Sequence, residues 1–584
     1  IEASRMLRPF LLSCMLLANL AFNSLGYSFL RGHESSSRVF QTTSNHQHSR
    51  RTFCTVIMTA DAQPNGDRKT AAQPKRNGKD KKKNRTTVAH FQDRDFASNN
   101  KNTNNRNSNG GRSPQRKPPV NRPNKPKFSS EDAFLKLKSY PLKPRDSPTV
   151  AVIGGGISGL VCAKTLEENG IRATVFDTGK NEVGGRCSTR EFERPGQAPL
   201  IFDHSAQFAT VSEEDIEWTR LVQEMLEAGV MREWGQGRVG RLAAGGAFQP
   251  LGEGGNPMQA YIGVQGMRDI PRHLAQGLQV ERPVWVSKMK RDPRTGGWGL
   301  WHYQEALGTF DYVVVAHNGK CAARLMSTAG REYGRLYQIL DTKFGAELRY
   351  PKSPRNMQLC SLWAVLVHFD KDVPVPAGME GAFVEGSDVL SWVANNSAKL
   401  QGLPAGGSSW TLISTPQYGQ RNKCPQENIP AEHGGRVVEE MLGAFEEALG
   451  AAPGSLRPTF SSAQLWGAAN PVSVGDTPLE EAFVFQEAAR VGVCGDWLRR
   501  PSLGAAAESG ARLARHLAAA AERRRDQPLG VIPDQEYSAM DVQVGLRFKA
   551  RPATGAAVAV SPIGDFSSTA GGVADVAAVD LLTT

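Results

Sequence analysis

An α/β fold is predicted: a Rossmann-like nucleotide domain with an interleaved second domain on a mostly antiparallel sheet. Three observations predict it. Residues 149–153 form an apolar, β-branched run that ends in glycines spaced G-x-G-x-x-G, at Gly154, Gly156 and Gly159. A helical pattern follows (Leu160, Ala163, Leu166), then a second strand, 173–176, that stops on Asp177. Between residues 358 and 414 several short apolar runs read as strands of a further sheet. The first two observations make one βαβ unit, and the third supplies the second layer.

Within the βαβ unit each glycine has a separate reason. Gly154 permits the tight turn, Gly156 lets backbone approach a pyrophosphate, and Gly159 lets the helix pack closely on the sheet. The helix N-terminus after the turn, with Ile157 and Ser158 beside it, presents unpaired N–H groups and a partial positive charge that suit a diphosphate. Asp177, 18 residues past Gly159, is placed to accept hydrogen bonds from a ribose. Seven residues further on, Gly184-Gly185-Arg186 fits a second loop crossing the same diphosphate, with the planar fork of Arg186 neutralising a phosphate. Rossmann domains that hold only NAD do not usually carry that loop.

The rest of the chain is read in order. Residues 1–60 look like a leader: Arg8, an apolar stretch over 9–22 too short to span a bilayer, small polar residues, then a Ser-, Thr-, Arg- and His-rich segment in which Glu34 is the only acid. A signal followed by a transit-like stretch predicts a plastid address, with the secretory pathway as the alternative. Residues 61–145 form a basic Asn-, Lys-, Arg- and Pro-rich segment, predicted to be disordered because it cannot bury enough apolar surface. Residues 1–130 hold 24 Lys/Arg and 7 Asp/Glu, so the +12 of the 584-residue chain belongs to this extension and the remainder is mildly acidic. A nucleic-acid role for the body gains nothing from that charge. The arm itself, whose basic runs 79–85 and 99–106 hold no aromatics, reads as a solvated linker before an RNA- or lipid-binding segment.

In the body, 211–231 reads as a helix capped by Ser212 with Glu213, Glu214 and Asp215 in its first turn. Residues 270–278 read as a short helix, and 284–289 with 298–303 as a hairpin. Strands are expected at 358–369, 382–384, 390–394 and 409–414, a helix over 436–449 ended by Gly450, and a last helix over 503–523. Residues 526–584 look like a poorly ordered Ala-, Gly- and Ser-rich tail. There are eight cysteines, with no C-x-x-C and no Cys/His cluster of zinc spacing, so neither a disulfide scaffold nor a metal site is expected.

The βαβ unit, the GGR loop and the segment Phe202-Asp203-His204-Ser205-Ala206-Gln207-Phe208 together resemble FAD-dependent oxidoreductases of the amine-oxidase superfamily. Among these they look most like the renalase-like branch, and the wording of 311–320 and 391–396 looks like its plant and algal members. Residues 491–497 (ending Gly495-Asp496-Trp497) and Leu503-Gly504-Ala505-Ala506 are similar to the family's closing flavin motif. The resemblance spans about 147–520. It implies non-covalent FAD, a FAD domain over about 146–210, 264–325 and 485–525, and a substrate domain over about 211–263 and 326–484. Cofactor contacts then fall to Gly154, Gly156, Ile157, Ser158, Gly159, Asp177, Gly184, Gly185, Arg186, Ser205, Ala206, Gln207, Val286, Gly495, Asp496, Gly504, Ala505 and Ala506. N–H groups near Gly504–Ala506 would face the flavin pyrimidine. Asn396, with Asn395 and Gln207, is the candidate catalytic set. The histidine that renalase-like relatives place in the next strand is missing, its position falling on Ile413 or Ser414, which counts against oxidation of isomeric dihydronicotinamides. Trp363 and Trp392 are expected in the core before a pocket, and His204 and His317 are expected to be structural.

The implied activity is hydride transfer from a small organic substrate, an amine, dihydronicotinamide or similar, to the flavin, with O2 or another acceptor taking the electrons. No second G-x-G-x-x-G follows a strand, so NAD(P)H, if used, must enter the flavin pocket itself. The alternatives are a plastid desaturase- or porphyrinogen-oxidase-like flavoenzyme, and a non-catalytic FAD-stabilised body carrying the basic arm.

Overall fold

The computed structural model describes residues 147–252, 259–292, 295–348, 356–400, 406–475, 481–525 and 548–550. The predicted leader, the basic segment and most of the tail lie outside the described residues.

The run Thr149–Ile153 is the centre of a six-stranded sheet. Tyr312–Val315 flanks it on one side and Arg172–Phe176 on the other, both parallel, with Val150 opposite Tyr312 and Ala173. The sheet continues outward to Val491–Val493 and Val484–Gln486 at one edge and to Gln279–Glu281 at the other. Its central strands are buried on both faces, as near-continuous Val/Ile runs require. One face is covered by the helices Ile157–Glu168, Ile216–Glu227 and Leu503–Arg525, the other by Gly319–Ser327, Gly334–Leu340 and a small three-stranded sheet at 288–310.

The second domain is a seven-stranded sheet. Its strands run Phe460–Trp466, Leu362–Phe369, Ser408–Ser414, Leu390–Asn395, Gly381–Val384, Val239–Ala243 and Ala247–Pro250 in spatial order. All neighbours are antiparallel except the pair Gly381–Val384 and Val239–Ala243. The helix Ala431–Leu449 lays Val437, Met441 and Phe445 on one face of this sheet and stops at Gly450 with φ 68°, a left-handed conformation that glycine adopts without a Cβ penalty.

Several boundaries differ from the sequence reading. The helix expected over 211–231 is Ile216–Glu227, and it packs on the nucleotide domain through Trp218, Leu221 and Met225 rather than on the second domain. Asp215, at its cap position, makes no capping bond; Glu508 of the last helix instead accepts the N–H groups of Glu217 and Trp218. The segment 326–340 likewise belongs to the nucleotide side, where Met326, Leu336 and Leu340 are buried with Ala151 and Val313. Residues 284–287 are not strand: the hairpin starts at Lys288 and Trp298, and the preceding residues border the cleft. Within the expected tail, Phe548–Ala550 pairs antiparallel with Ser473–Gly475.

Candidate cofactor and substrate site

A cleft of about 460 Å³ runs over the carboxyl ends of the parallel strands, where ligands settle in doubly wound sheets. Four segments far apart in sequence meet there. The turn Gly154–Ser158 forms the floor, Asp177 and Thr178 close the second strand, Gly184–Cys187 cross above, and Cys494–Trp497 with Leu503 and Ala506 close the far side.

The floor follows from its glycines. Gly154 has φ +118°, and a Cβ there would lie 2.9 Å from the Ala316 carbonyl oxygen. A Cβ on Gly159 would come within 1.9 Å of the Gly154 carbonyl oxygen, so the helix can sit on the turn only because it is bare there. Gly156 is different. Its backbone is ordinary (φ −78°, ψ 176°), and a Cβ would meet nothing nearer than the Gly184 carbonyl oxygen at 4.0 Å. Its missing side chain leaves open room over the cleft floor.

Asp177 is held by two backbone donors, Gly155 N–H to Oδ2 (2.8 Å) and Gly179 N–H to Oδ1 (2.7 Å). The crossing loop is tied down by Gly184 N–H donating to the Gly155 carbonyl (2.7 Å). Arg186 donates to Asp496 Oδ1 (2.7 Å) and to the Ala469 carbonyl (2.9 Å). Burial pulls the Arg186 pKa down, but the adjacent Asp496 carboxylate outweighs it, leaving the guanidinium above its ordinary value. This ion pair joins the second loop to the closing motif 310 residues away.

Of the sequence-predicted cofactor residues, Gly154, Gly156, Ile157, Ser158, Asp177, Gly184, Gly185, Arg186, Val286, Gly495, Asp496 and Ala506 border the cleft. Gly159, Ser205, Ala206, Gln207, Gly504 and Ala505 do not line it. A Cβ on Gly504 would meet Asp215 Oδ2 at 2.4 Å, so its open side faces another helix. The N–H groups of Ala505 and Ala506 are taken by Ser502, by its Oγ (3.0 Å) and its carbonyl (3.1 Å), which removes two of the donors expected to face a flavin pyrimidine.

The segment Asp203–Phe208 lies behind the crossing loop, with Ala206 N–H donating to the Arg186 carbonyl (2.9 Å). His204 stacks on Trp466, ring centroids 5.3 Å apart, and Trp466 lines the cleft. Burial, with the Arg190 charge adding, lowers the His204 pKa to about 3, so the ring is neutral. Gln207 Nε2 donates to the carbonyls of Asp203 (2.8 Å) and Ser205 (3.0 Å). Among the described residues, its Oε1 and Ser205 Oγ are buried without hydrogen-bond partners.

Asn396 is fully buried and does not line the cleft. Its Oδ1 accepts Asp203 N–H (3.0 Å) and its Nδ2 donates to Thr411 Oγ1 (2.9 Å), so both ends of the amide are engaged in tying the second sheet to the Asp203 segment. Asn395 caps the short helix Asn396–Lys399, accepting Ala398 N–H (3.1 Å). Ile413 is core, and Ser414 Oγ accepts Trp363 N–H (2.9 Å). Trp363 and Trp392 are fully buried, Trp392 against Phe208, Trp234 and Phe383. His317 borders the cleft and donates from Nδ1 to the Ile153 carbonyl (3.0 Å).

Other cleft residues carried no signal in the sequence: Trp285, Cys321, Gln426, Glu427 and Trp466. They arrive from loops, a strand end and, for Cys321, the first turn of the helix Gly319–Ser327, and only the tertiary fold brings them to one rim. Among the described residues no group of His, Cys, Asp or Glu is arranged to hold a metal ion, and no helix is long and apolar enough to cross a membrane.

Comparison with known proteins meets this geometry at its floor. Residues 152–225 match the family of NAD(P)-binding Rossmann-like domains. Over 57 residues the chain is 51% identical to tryptophan 2-monooxygenase of Allorhizobium ampelinum (strain S4), a match covering 10% of this chain and 8% of that enzyme. Among solved structures, a candidate protoporphyrinogen oxidase of Exiguobacterium sp. 255-15 is similar at 12% identity and TM-score 0.46, over 64% of this chain and all of the other. Cyclohexylamine oxidase of Brevibacterium oxydans IH-35A is similar at 13% identity and TM-score 0.43, over 65% of this chain and all of the other. The described body is a mixed α/β protein built on a Rossmann-like dinucleotide-binding domain.

Proposed function

We propose that the chain is a FAD-dependent oxidoreductase of the amine-oxidase superfamily, oxidising a small organic molecule by hydride transfer. The observation that carries this reading is the Arg186–Asp496 pair, which makes one cleft of the glycine turn, the ribose-side acid, the GGR loop and the closing motif. A nucleotide that only needed the βαβ floor would not require the other two segments.

The residues present fit such a cofactor. The bare Gly156 leaves room for a diphosphate at the helix start, and Asp177 and the Asp496-paired Arg186 border the same cleft, where we assign Asp177 to a ribose hydroxyl and Arg186 to a phosphate. FAD, when bound, supplies the hydride acceptor. The chain's own residues bind and orient: the helix beginning at Ile157 offers backbone N–H groups to phosphate, Asp496 holds Arg186 and its loop against the closing motif, and Trp466, Leu503 and Ala506 border the cleft. Gln207 and Asn396 hold the Asp203–Phe208 segment in register with the second sheet, and we assign them a positioning role. The kinship to the renalase-like branch rests on the wording of that segment, and the apolar Ile413 with the engaged Ser414 argues against dihydronicotinamide isomers as substrate. Amines, which need no such histidine, are the favoured class.

The test is Gly156→Val. The position tolerates a side chain in its own backbone conformation, so the variant is expected to fold with an unchanged circular dichroism spectrum. Its side chain occupies the diphosphate space. The wild-type full chain should bind FAD stoichiometrically with the yellow flavin spectrum, and the variant should lose at least about 100-fold in affinity (about 2.7 kcal/mol). Equal flavin content in the two proteins would refute the placement.

A further inference from the structure

One pair of lysines at the cleft rim makes no ion pair among the described residues. Lys320, in the first turn of the helix Gly319–Ser327, and Lys423, just past the helix Pro416–Arg421, approach the same ring. Their Nζ atoms lie 5.6 and 4.1 Å from the centroid of Phe344. Among the described residues neither is ion-paired to a carboxylate, whereas the adjacent Lys343 is paired with Asp341 at 3.0 Å. Cation–π attraction holds each ammonium to the ring, but two like charges brought together there repel. Both lysines are exposed; partial desolvation, and then the Lys320 charge, lower the Lys423 pKa below its ordinary value.

The cluster is continuous with the cleft. Lys423 Nζ reaches the carbonyl of Gly467 at 3.4 Å, and Gly467 lines the cavity with Gln426 and Glu427. Cys321, next to Lys320, lines it as well. The helix Gly319–Ser327 adds to the positive potential: Asn318 makes no side-chain capping bond and the first turn holds no acid. Glu427 is the carboxylate of this rim, and it acts on the Cys321 side.

We propose that Lys320 and Lys423, both drawn to the ring of Phe344, form an anion seat at the rim of the cleft. The seat receives a phosphate or carboxylate of the substrate while the oxidisable part of the same molecule lies in the cleft past Trp466 and Gly467. This deepens the flavoenzyme reading and rests on it for the identity of the inner ligand. It narrows the substrate class to molecules that carry an anionic group beside the part that is oxidised.

The experiment is calorimetric titration of the full-length, FAD-loaded protein with tripolyphosphate and, separately, with citrate at low ionic strength. Wild type is expected to bind at least one of the two at one site. Each of Lys320→Gln and Lys423→Gln should weaken it about threefold and the double variant about tenfold. Lys423→Arg should retain binding, and Lys343→Gln should not change it. Tighter tripolyphosphate binding identifies a phosphate seat, tighter citrate binding a carboxylate seat. Failure of wild type to bind either anion, or a double variant that binds as wild type does, overturns the proposal. A protein that takes up no FAD yet binds the anion in a lysine-dependent way keeps the seat and overturns the flavin reading instead.

Discussion

Gly156 and Gly159 are three residues apart and do opposite work. Gly156 has an ordinary backbone and open space, so only a ligand makes its bareness useful. Gly159 has a carbonyl oxygen 1.9 Å from where its Cβ would stand, so its bareness serves packing. Gly159→Ala is therefore expected to lower stability by about 3 kcal/mol, the upper range of overpacking against backbone, in flavin-free and flavin-loaded protein alike. Urea midpoints for the two states check this, and a loss confined to the loaded state would contradict it. His204 gives a pH signature at the same scale. Its pKa is about 3 in the folded chain and about 6.5 unfolded. Below about pH 6.5 the unfolded chain takes up a proton that the folded chain refuses, so stability is full above that pH and falls toward pH 3. The slope approaches about 1.4 kcal/mol per pH unit. His204→Asn removes the titration, and its urea midpoint should depend less on pH across that window by about one proton's worth; an unaltered slope would show that the ring is not held neutral.

Elements were legible in the sequence where one local signal sufficed. The strand–turn–helix at 149–168 announces itself because period, glycines and terminal acid coincide, and the helix ending at Gly450 because a left-handed cap demands glycine. The misplaced start of the helix Ile216–Glu227 has a clear cause. Ser212 and the acids after it look like a local cap, yet Ser212 Oγ donates to Asp215 Oδ2 (2.9 Å) and Asp215 pairs with Arg500. The real acceptor, Glu508, comes from 291 residues away, which no local pattern reveals. The candidate site divides the same way. Its floor and crossing loop are local motifs and could be read, whereas Trp466 and the lysines at the rim carry no motif. Glu508 accepts two helix N–H groups with Oε1 and pairs with Arg512 through Oε2 at 3.2 Å, and it is 3% exposed. Glu508→Ala should cost about 2–3 kcal/mol, a cap plus buried unsatisfied donors. Glu508→Gln, which keeps an acceptor, should cost about 1 kcal/mol. Thermal melts and amide exchange of residues 216–219 read both, and equal effects of the two variants would show that the carboxylate does not act as a cap.

At the scale of the molecule, the two domains are bolted at Asp203, directly behind the crossing loop. Lys399, from the second domain, donates to Asp203 Oδ2 at 2.6 Å, and both side chains are fully buried. The same ammonium donates to the Gln207 carbonyl and lies 5.1 Å from the Trp234 ring centroid. Asp203 Oδ1 accepts from Thr189 Oγ1 (2.5 Å) and Met267 N–H (2.8 Å), so the carboxylate is satisfied on both oxygens. Burial lowers the Lys399 pKa, and Asp203 opposes that shift. Asn396 and Thr411 add neutral bonds to the same backbone stretch, with Thr411 Oγ1 donating to the Asp203 carbonyl (2.8 Å). A buried pair of this kind adds little over an apolar replacement of both members, but loss of one member strands a charge in low dielectric. Lys399→Met keeps the length of the side chain and leaves Asp203 uncompensated, so it should cost about 3–5 kcal/mol. Adding Asp203→Asn to it should recover at least about 1 kcal/mol, because the two positions share one interaction. Urea denaturation of wild type, both single variants and the double variant measures the coupling. The register of Ser205–Gln207 against the cleft depends on this bolt, so Lys399→Met should also broaden the visible flavin band of the loaded protein. Additive losses, or a Lys399→Met midpoint equal to wild type, would mean that the domains are held by the apolar contacts around Trp392 and Phe208 and that the ion pair is incidental to their seating.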